Sequence, residues 1–90
     1  MANKKEVLTG EFVVTRIMRW NIIRRGCGKR PWIVELCRRQ PAPTWWVMLA
    51  ADNSAAGSKL CNTYGGRKVR VQYRRMPSGY CRMYDIELMD

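Results

Sequence analysis

The most constraining feature of this sequence is a strict alternation near its carboxyl end. From Lys68 to Arg74 every second residue is apolar. A period of two is typical of a β-strand with one face in the core and the other in water. The inner set is Val69, Val71 and Tyr73, and the outer set is Lys68, Arg70, Gln72 and Arg74. This stretch therefore predicts a strand whose outer face carries a row of cations.

A turn and a second strand follow this stretch. Pro77-Ser78-Gly79 combines a fixed φ with a glycine, which is typical of a tight turn. Alternation then resumes, and we expect Tyr84, Ile86 and Leu88 to face the core. The outer side of this last strand is expected to hold Met83, Asp85 and Glu87. The last third of the chain thus predicts a hairpin that closes a small core.

The amino-terminal part predicts one long strand. Residues 6–20, EVLTGEFVVTRIMRW, are rich in β-branched and aromatic side chains. We expect Leu8, Phe12 and Val14 to face inward. Gly10 predicts a bulge or sharp coil, which allows one strand to serve two sheets of a barrel.

The second strand follows Pro31, and it is predicted to turn one apolar face inward. That face consists of Trp32, Val34 and Leu36. The proline-rich stretch 40–43 makes the next connection, because proline cannot donate to a strand ladder.

The third strand, Thr44 to Asp52, is apolar on both faces. Trp45 and Trp46 are adjacent and must face opposite ways, yet a small barrel has only one interior. We expect Trp46 to be the outer ring, so that Trp46→Ala weakens ligand binding while Trp45→Ala lowers stability. A dimer interface is the alternative environment for the outer ring.

These elements predict an all-β fold of one domain, residues 1–90, with residues 1–5 frayed. Residues 53–64 suit a loop with one or two helical turns, for which Ser54 is the candidate N-cap. Five strands with a short helix or loop between the third and fourth predict a small five-stranded Greek-key OB-fold barrel. An SH3-like barrel is the alternative.

The charge of the chain points to a polyanionic partner. Lys and Arg total 17 against 7 acidic residues, for a net charge of +10. Such an imbalance destabilises a compact domain unless a partner screens it. Arginine predominates, and its guanidinium both grips phosphate and stacks on bases. Two stretches, Arg16 to Arg39 and Lys59 to Arg82, hold most of the cations.

A protein that binds single-stranded nucleic acid of any sequence needs aromatic side chains on which bases can stack, set in a cationic groove. We call such side chains stacking platforms. Both kinds of residue are present, so we expect tight, salt-sensitive binding with little sequence preference. The candidate platforms are Trp46, Trp20, Trp32 and Tyr80, with Trp45 in reserve. The candidate phosphate contacts are Arg24, Arg25, Lys29, Arg30, Arg38, Arg39, Arg70, Arg74, Arg75 and Arg82. The loop 21–30 is either a phosphate-contacting finger or a solvated turn.

The sequence offers little chemistry for catalysis or metal binding. It has no His, no Walker loop and no G-x-S-x-G motif, so we expect no enzyme and no cofactor. The four cysteines lack the spacing of a zinc site. They are Cys27, Cys37, Cys61 and Cys81. The start of the chain lacks a secretory signal, and no run is long enough to span a membrane, so we expect a cytoplasmic protein with free thiols.

Three segments resemble bacterial single-stranded DNA-binding proteins, and above all the PriB-type primosomal replication proteins. They are Val7 to Gly10, the tryptophan pair that starts the third strand, and Gly66 to Val71 closing on Tyr84 to Asp90. The resemblance implies a homodimeric OB domain that binds single-stranded DNA in replication and assists a replication-restart helicase. By the same resemblance, Trp45 or Trp46 stacks on bases, Arg38 and Arg39 form the basic end of strand two, and residues 74–82 correspond to the DNA-gripping loop, which is short here.

Two alternatives remain open from the residues. One is an RNA-binding barrel of the translation-factor or cold-shock type. The other is a phage or plasmid protein whose basic face binds and inhibits a host protein or nucleoprotein complex, since OB barrels host many functions.

Overall fold

The computed structural model describes residues 6–19, 31–63, 65–77 and 79–89. The described elements are five strands and one short helix, in the predicted order. They are β1 (Leu8–Arg19), β2 (Trp32–Arg38), β3 (Thr44–Ala50), α1 (Ala55–Leu60), β4 (Lys68–Arg75) and β5 (Cys81–Leu88). Residues 1–5, expected to be frayed, lie outside the described residues.

The strands close into a barrel in the order β1-β2-β3-β5-β4. All neighbours are antiparallel except β3 and β5, which pair in parallel. This closure, with a helix between β3 and β4, is the OB-fold arrangement and confirms the predicted fold.

Strand β1 serves two partners, as expected, but its bulge lies elsewhere. Its first half pairs with β4 and its second half with β2. The register shifts between Val14 and Arg16, whereas Gly10 pairs regularly opposite Val71. The bulge is stabilised by Thr15, whose Oγ1 donates to the Glu35 carbonyl oxygen at 2.9 Å. The prediction of a bulge at Gly10 was therefore wrong in position.

The core lies inside the barrel and confirms the inward faces predicted for β1, β2 and β4. Its members are Phe12, Val14, Val34, Leu36, Met48, Ala50, Ala56, Leu60, Val69, Val71, Tyr73, Cys81, Met83 and Ile86. The helix contributes Ala56 and Leu60. It begins after Ser54, whose hydroxyl accepts from the Gly57 N–H at 2.9 Å, so the predicted N-cap is confirmed.

The predicted facing of β5 was wrong at three positions. Asp85 pairs with Gln72, but Met83 pairs with Tyr73, so Tyr84 is an extra residue in the ladder. A bulge of one residue reverses the alternation that precedes it. Met83 is consequently buried. Tyr84 is only half-buried, and Leu88, at the strand end, is exposed.

The predicted facing of β3 was also wrong. Trp45 is 64% exposed, whereas Trp46 packs against the core. The inner side of β3 continues through Met48 and Ala50, both fully buried. Trp46 faces inward because its ring packs edge to face against two core rings. The centroid distances are 5.7 Å to Phe12 and 5.8 Å to Tyr73.

Candidate nucleic-acid interface

The outer face of β3 presents an apolar strip. Trp45 and Val47 are exposed, and Leu49 on the same face is half-buried. Opposite Val47 on β2 lies Glu35, whose carboxylate accepts from Thr15 Oγ1 at 3.0 Å. Large exposed apolar side chains gathered on one face mark a binding surface more often than isolated ones do.

A groove of about 460 Å³ runs between the first half of β3 and the β4–β5 turn, and we call it the β3 groove. Its walls include Trp45, Trp46, Val47, Arg75, Met76 and Tyr80. Tyr80 is half exposed at its edge. Two aromatic side chains, Trp45 and Tyr80, therefore stand at a single groove together with Arg75.

The turn that positions Tyr80 is held by backbone hydrogen bonds. The Met76 N–H donates to the Tyr80 carbonyl oxygen at 2.7 Å, and the Gly79 N–H donates to the Met76 carbonyl oxygen at 2.9 Å. Gly79 has φ +96°, which favours glycine, so the predicted role of this residue in the turn is confirmed. These hydrogen bonds thus fix the backbone position of Tyr80 beside the β3 groove.

Three arginines, Arg74, Arg75 and Arg82, lie near this turn. Within the described ranges, no carboxylate lies within 4.0 Å of Arg74, Arg75 or Arg82. Arg74 and Arg82 each place their guanidinium carbon 5.7 Å from the Tyr84 ring centroid. These side chains are held by aromatic contacts and keep their charge available for an anion.

Trp46 supports the site from within the barrel. The guanidinium carbons of Arg38 and Arg75 each lie 5.5 Å from its ring centroid. Its indole Nε1 is buried, and no acceptor bonds it among the residues described. Trp46 therefore packs against the core and contacts two cations, whereas Trp45 is the exposed ring of the pair.

A second groove, of about 570 Å³, lies over β1 and the adjoining parts of β2 and β4, and we call it the β1 groove. Four cations line it, together with one carboxylate, Glu11, in the part of the chain that the structure describes. The cations are Arg38, Arg39, Lys68 and Arg70. Arg70 is partly neutralised by Glu87 at 3.3 Å and Glu11 at 4.0 Å.

Trp32, another predicted platform, lies apart from Trp45. It is half-buried, packs against the core and holds the Arg19 guanidinium 4.5 Å from its ring centroid. Trp32 pairs with Ala50, five residues along β3 from Trp45, so the two positions are separated by about 16 Å. Arg19 is itself paired with Asp52 at 2.8 Å.

The remaining predicted site residues cannot be placed in either groove. Trp20, Arg24, Arg25, Lys29 and Arg30 lie outside the described residues. Sequence reasoning missed Val47 and Lys68. Both carried a usable signal: Val47 shares a strand face with Trp45, and Lys68 begins the alternating row of cations.

The titratable groups add one feature to the β3 groove. Burial raises the pKa of the Cys81 thiol above its ordinary value, and the nearby charge of Arg75 partly opposes the shift. In the described ranges, no three His, Cys, Asp or Glu side chains lie close enough together to hold a metal ion. None of the helices in those ranges is long and apolar enough to cross a membrane.

No protein-family model, curated protein or solved structure matches this chain.

Proposed function

We propose that this protein is a non-enzymatic single-stranded DNA-binding protein, largely indifferent to sequence, of the kind used in DNA replication or replication restart. The observation that carries the proposal is the exposed Trp45 ring on the outer face of β3. It stands at the same groove as Tyr80 and Arg75.

The chemistry of a single strand matches this arrangement. In a duplex the base faces are covered by their neighbours, whereas an unpaired base offers its face to a flat side chain. Stacking of one base on an aromatic ring contributes about 1–3 kcal/mol and depends little on base identity. Arg74, Arg75 and Arg82, which no carboxylate of the described residues approaches within 4.0 Å, supply the charge that phosphates require.

The choice of DNA over RNA, the homodimer and the replication helicase as partner belong to the same proposal and rest on the resemblance noted above. The grooves themselves offer aromatic faces and cations, which both nucleic acids can use. Contacts to the 2′-hydroxyl decide between them.

Competition measures the proposed preference directly. A fluorescently labelled oligo-dT is bound to the protein, and unlabelled single-stranded DNA, matched RNA and duplex DNA are added at two salt concentrations. We expect single-stranded DNA to displace the label at the lowest concentration. Stronger displacement by RNA would favour the RNA-binding alternative, and equal displacement by duplex would contradict base stacking. A mass measurement on the same sample tests the homodimer.

A further inference from the structure

We infer that the β1 groove binds the phosphate backbone of the same single strand whose bases stack at the β3 groove. The inference rests on the proposed function and adds a second contact surface to it. Lys68 was not among the phosphate contacts predicted from the sequence, although it belongs to the predicted row of cations on β4.

The two grooves are connected by a row of residues in direct register. Lys68 on β4 is opposite Val13 on β1, Val13 is opposite Cys37 on β2, and Cys37 is opposite Trp45 on β3. With strands about 4.8 Å apart, three steps separate Lys68 from Trp45 by about 14 Å. The intervening Val13 and Cys37 are uncharged, so no fixed negative charge interrupts this path.

The charge in the β1 groove is largely uncompensated. Across the described part of the chain, no carboxylate lies within 4.0 Å of Arg38, Arg39 or Lys68. Glu11 approaches only Arg70, at 4.0 Å. Four cations against one carboxylate among the described lining residues produce a positive potential that a polyanion would neutralise.

Arg38 is also held in place before any ligand arrives. Its guanidinium carbon lies 5.1 Å from the Phe12 ring centroid and 5.5 Å from that of Trp46. Gly10 provides the space, because a Cβ there would lie 2.8 Å from Arg38 Nη2. A planar guanidinium fixed in this way loses less freedom on binding phosphate in a bidentate manner.

The salt dependence of binding tests this inference. For single strands, the slope of log affinity against log salt changes by about 0.7 for each phosphate contact. We expect Arg39→Gln and Lys68→Gln each to reduce the slope by that amount and the double variant to reduce it by about 1.4. The ratio of the affinity of the unmodified protein to that of the double variant would then fall about 25-fold for each tenfold rise in salt.

The titration uses oligo-dT and follows the quenching of tryptophan fluorescence, so that base stacking is the signal while the salt slope counts phosphate contacts. Lys59→Gln is the control for loss of a cation elsewhere on the surface, because Lys59 lies on α1, bonds Asp85 at 2.7 Å and lines neither groove. We expect the control to keep the slope of the unmodified protein. An equal loss of slope in the control would overturn the assignment, since any surface cation would then suffice.

Removal of a negative charge from the β1 groove provides a second test, because it is expected to raise the affinity rather than lower it. Glu11→Gln removes the carboxylate from the β1 groove and is expected to tighten binding, which damage to the fold would not do. Asp85→Asn is its control, because Asp85 lies outside both grooves and bonds Lys59 at 2.7 Å. Tighter binding confined to Glu11→Gln supports the inference, and weaker or unchanged binding contradicts it.

The titration distinguishes failure of the proposed function from failure of the β1 groove assignment. If the unmodified protein does not bind oligo-dT, the proposed function is wrong, and the β1 groove loses its ligand with it. If the unmodified protein binds and quenches but the double variant keeps the full slope, the inference alone is overturned.

Discussion

The two adjacent tryptophans of β3 should respond oppositely to truncation. Trp45 is 64% exposed, so Trp45→Ala removes little packing and should change the free energy of unfolding by less than about 0.5 kcal/mol. It also removes the proposed stacking platform, and stacking of one base on an aromatic ring is worth about 1–3 kcal/mol. Affinity for oligo-dT should therefore fall about 5- to 140-fold.

Trp46→Ala should instead lower stability. Truncation of a large core aromatic costs about 3–5 kcal/mol, and the low end applies because Trp46 is half-buried. The variant also loses the edge-to-face contacts with Phe12 and Tyr73. In a domain of this size, about 3 kcal/mol corresponds to a fall of about 12–24 °C in Tm.

Thermal unfolding followed by circular dichroism gives the stability of both variants, and the anisotropy of a labelled oligo-dT gives their affinity. Trp45→Phe is the control, because it keeps a flat ring and should retain most of the binding. The reasoning would be refuted if Trp45→Ala bound normally, or if Trp46→Ala kept its Tm while binding weakened more than in Trp45→Ala.

Three further predictions concern stability and thiol chemistry. Gly57→Ala should destabilise the domain although alanine is the better helix former, because a Cβ there would clash with the Ala51 carbonyl oxygen; a raised Tm would contradict this close approach. Ser54→Ala should cost about 1 kcal/mol in chemical denaturation through loss of the N-cap, and an unchanged midpoint would show that the cap is dispensable. Because burial raises the pKa of Cys81, its thiol should be alkylated more slowly near pH 8 than the exposed Cys61, and peptide mapping that finds equal rates would contradict the assigned burial.

Alternation predicted the fold wherever the ladder is regular, and it failed where a bulge intervenes. On β4 every inward residue was correctly predicted, because Val69 to Tyr73 pair with β1 without a shift. On β5 the extra residue Tyr84 reverses the parity, and nothing in the local pattern reveals its presence. Bulges depend on the neighbouring strand, so a single-strand pattern cannot locate them.

Two features of the candidate grooves could not be predicted from the sequence, for physical reasons. Alternation states that Trp45 and Trp46 face opposite ways but not which is inside, since that depends on whether Phe12 and Tyr73 can receive the ring. The β1 groove combines Arg39 with Lys68, which are distant in the chain and meet only because β1 pairs with both β2 and β4.

The most direct test of the central claim is the titration of tryptophan fluorescence with oligo-dT at low and high salt, for the unmodified protein and Trp45→Ala. We predict quenching that saturates, an affinity that falls as salt rises, and loss of most of the quenching in Trp45→Ala. Absence of quenching, an affinity indifferent to salt, or full quenching without Trp45 would contradict the claim that this barrel binds single strands by stacking on Trp45.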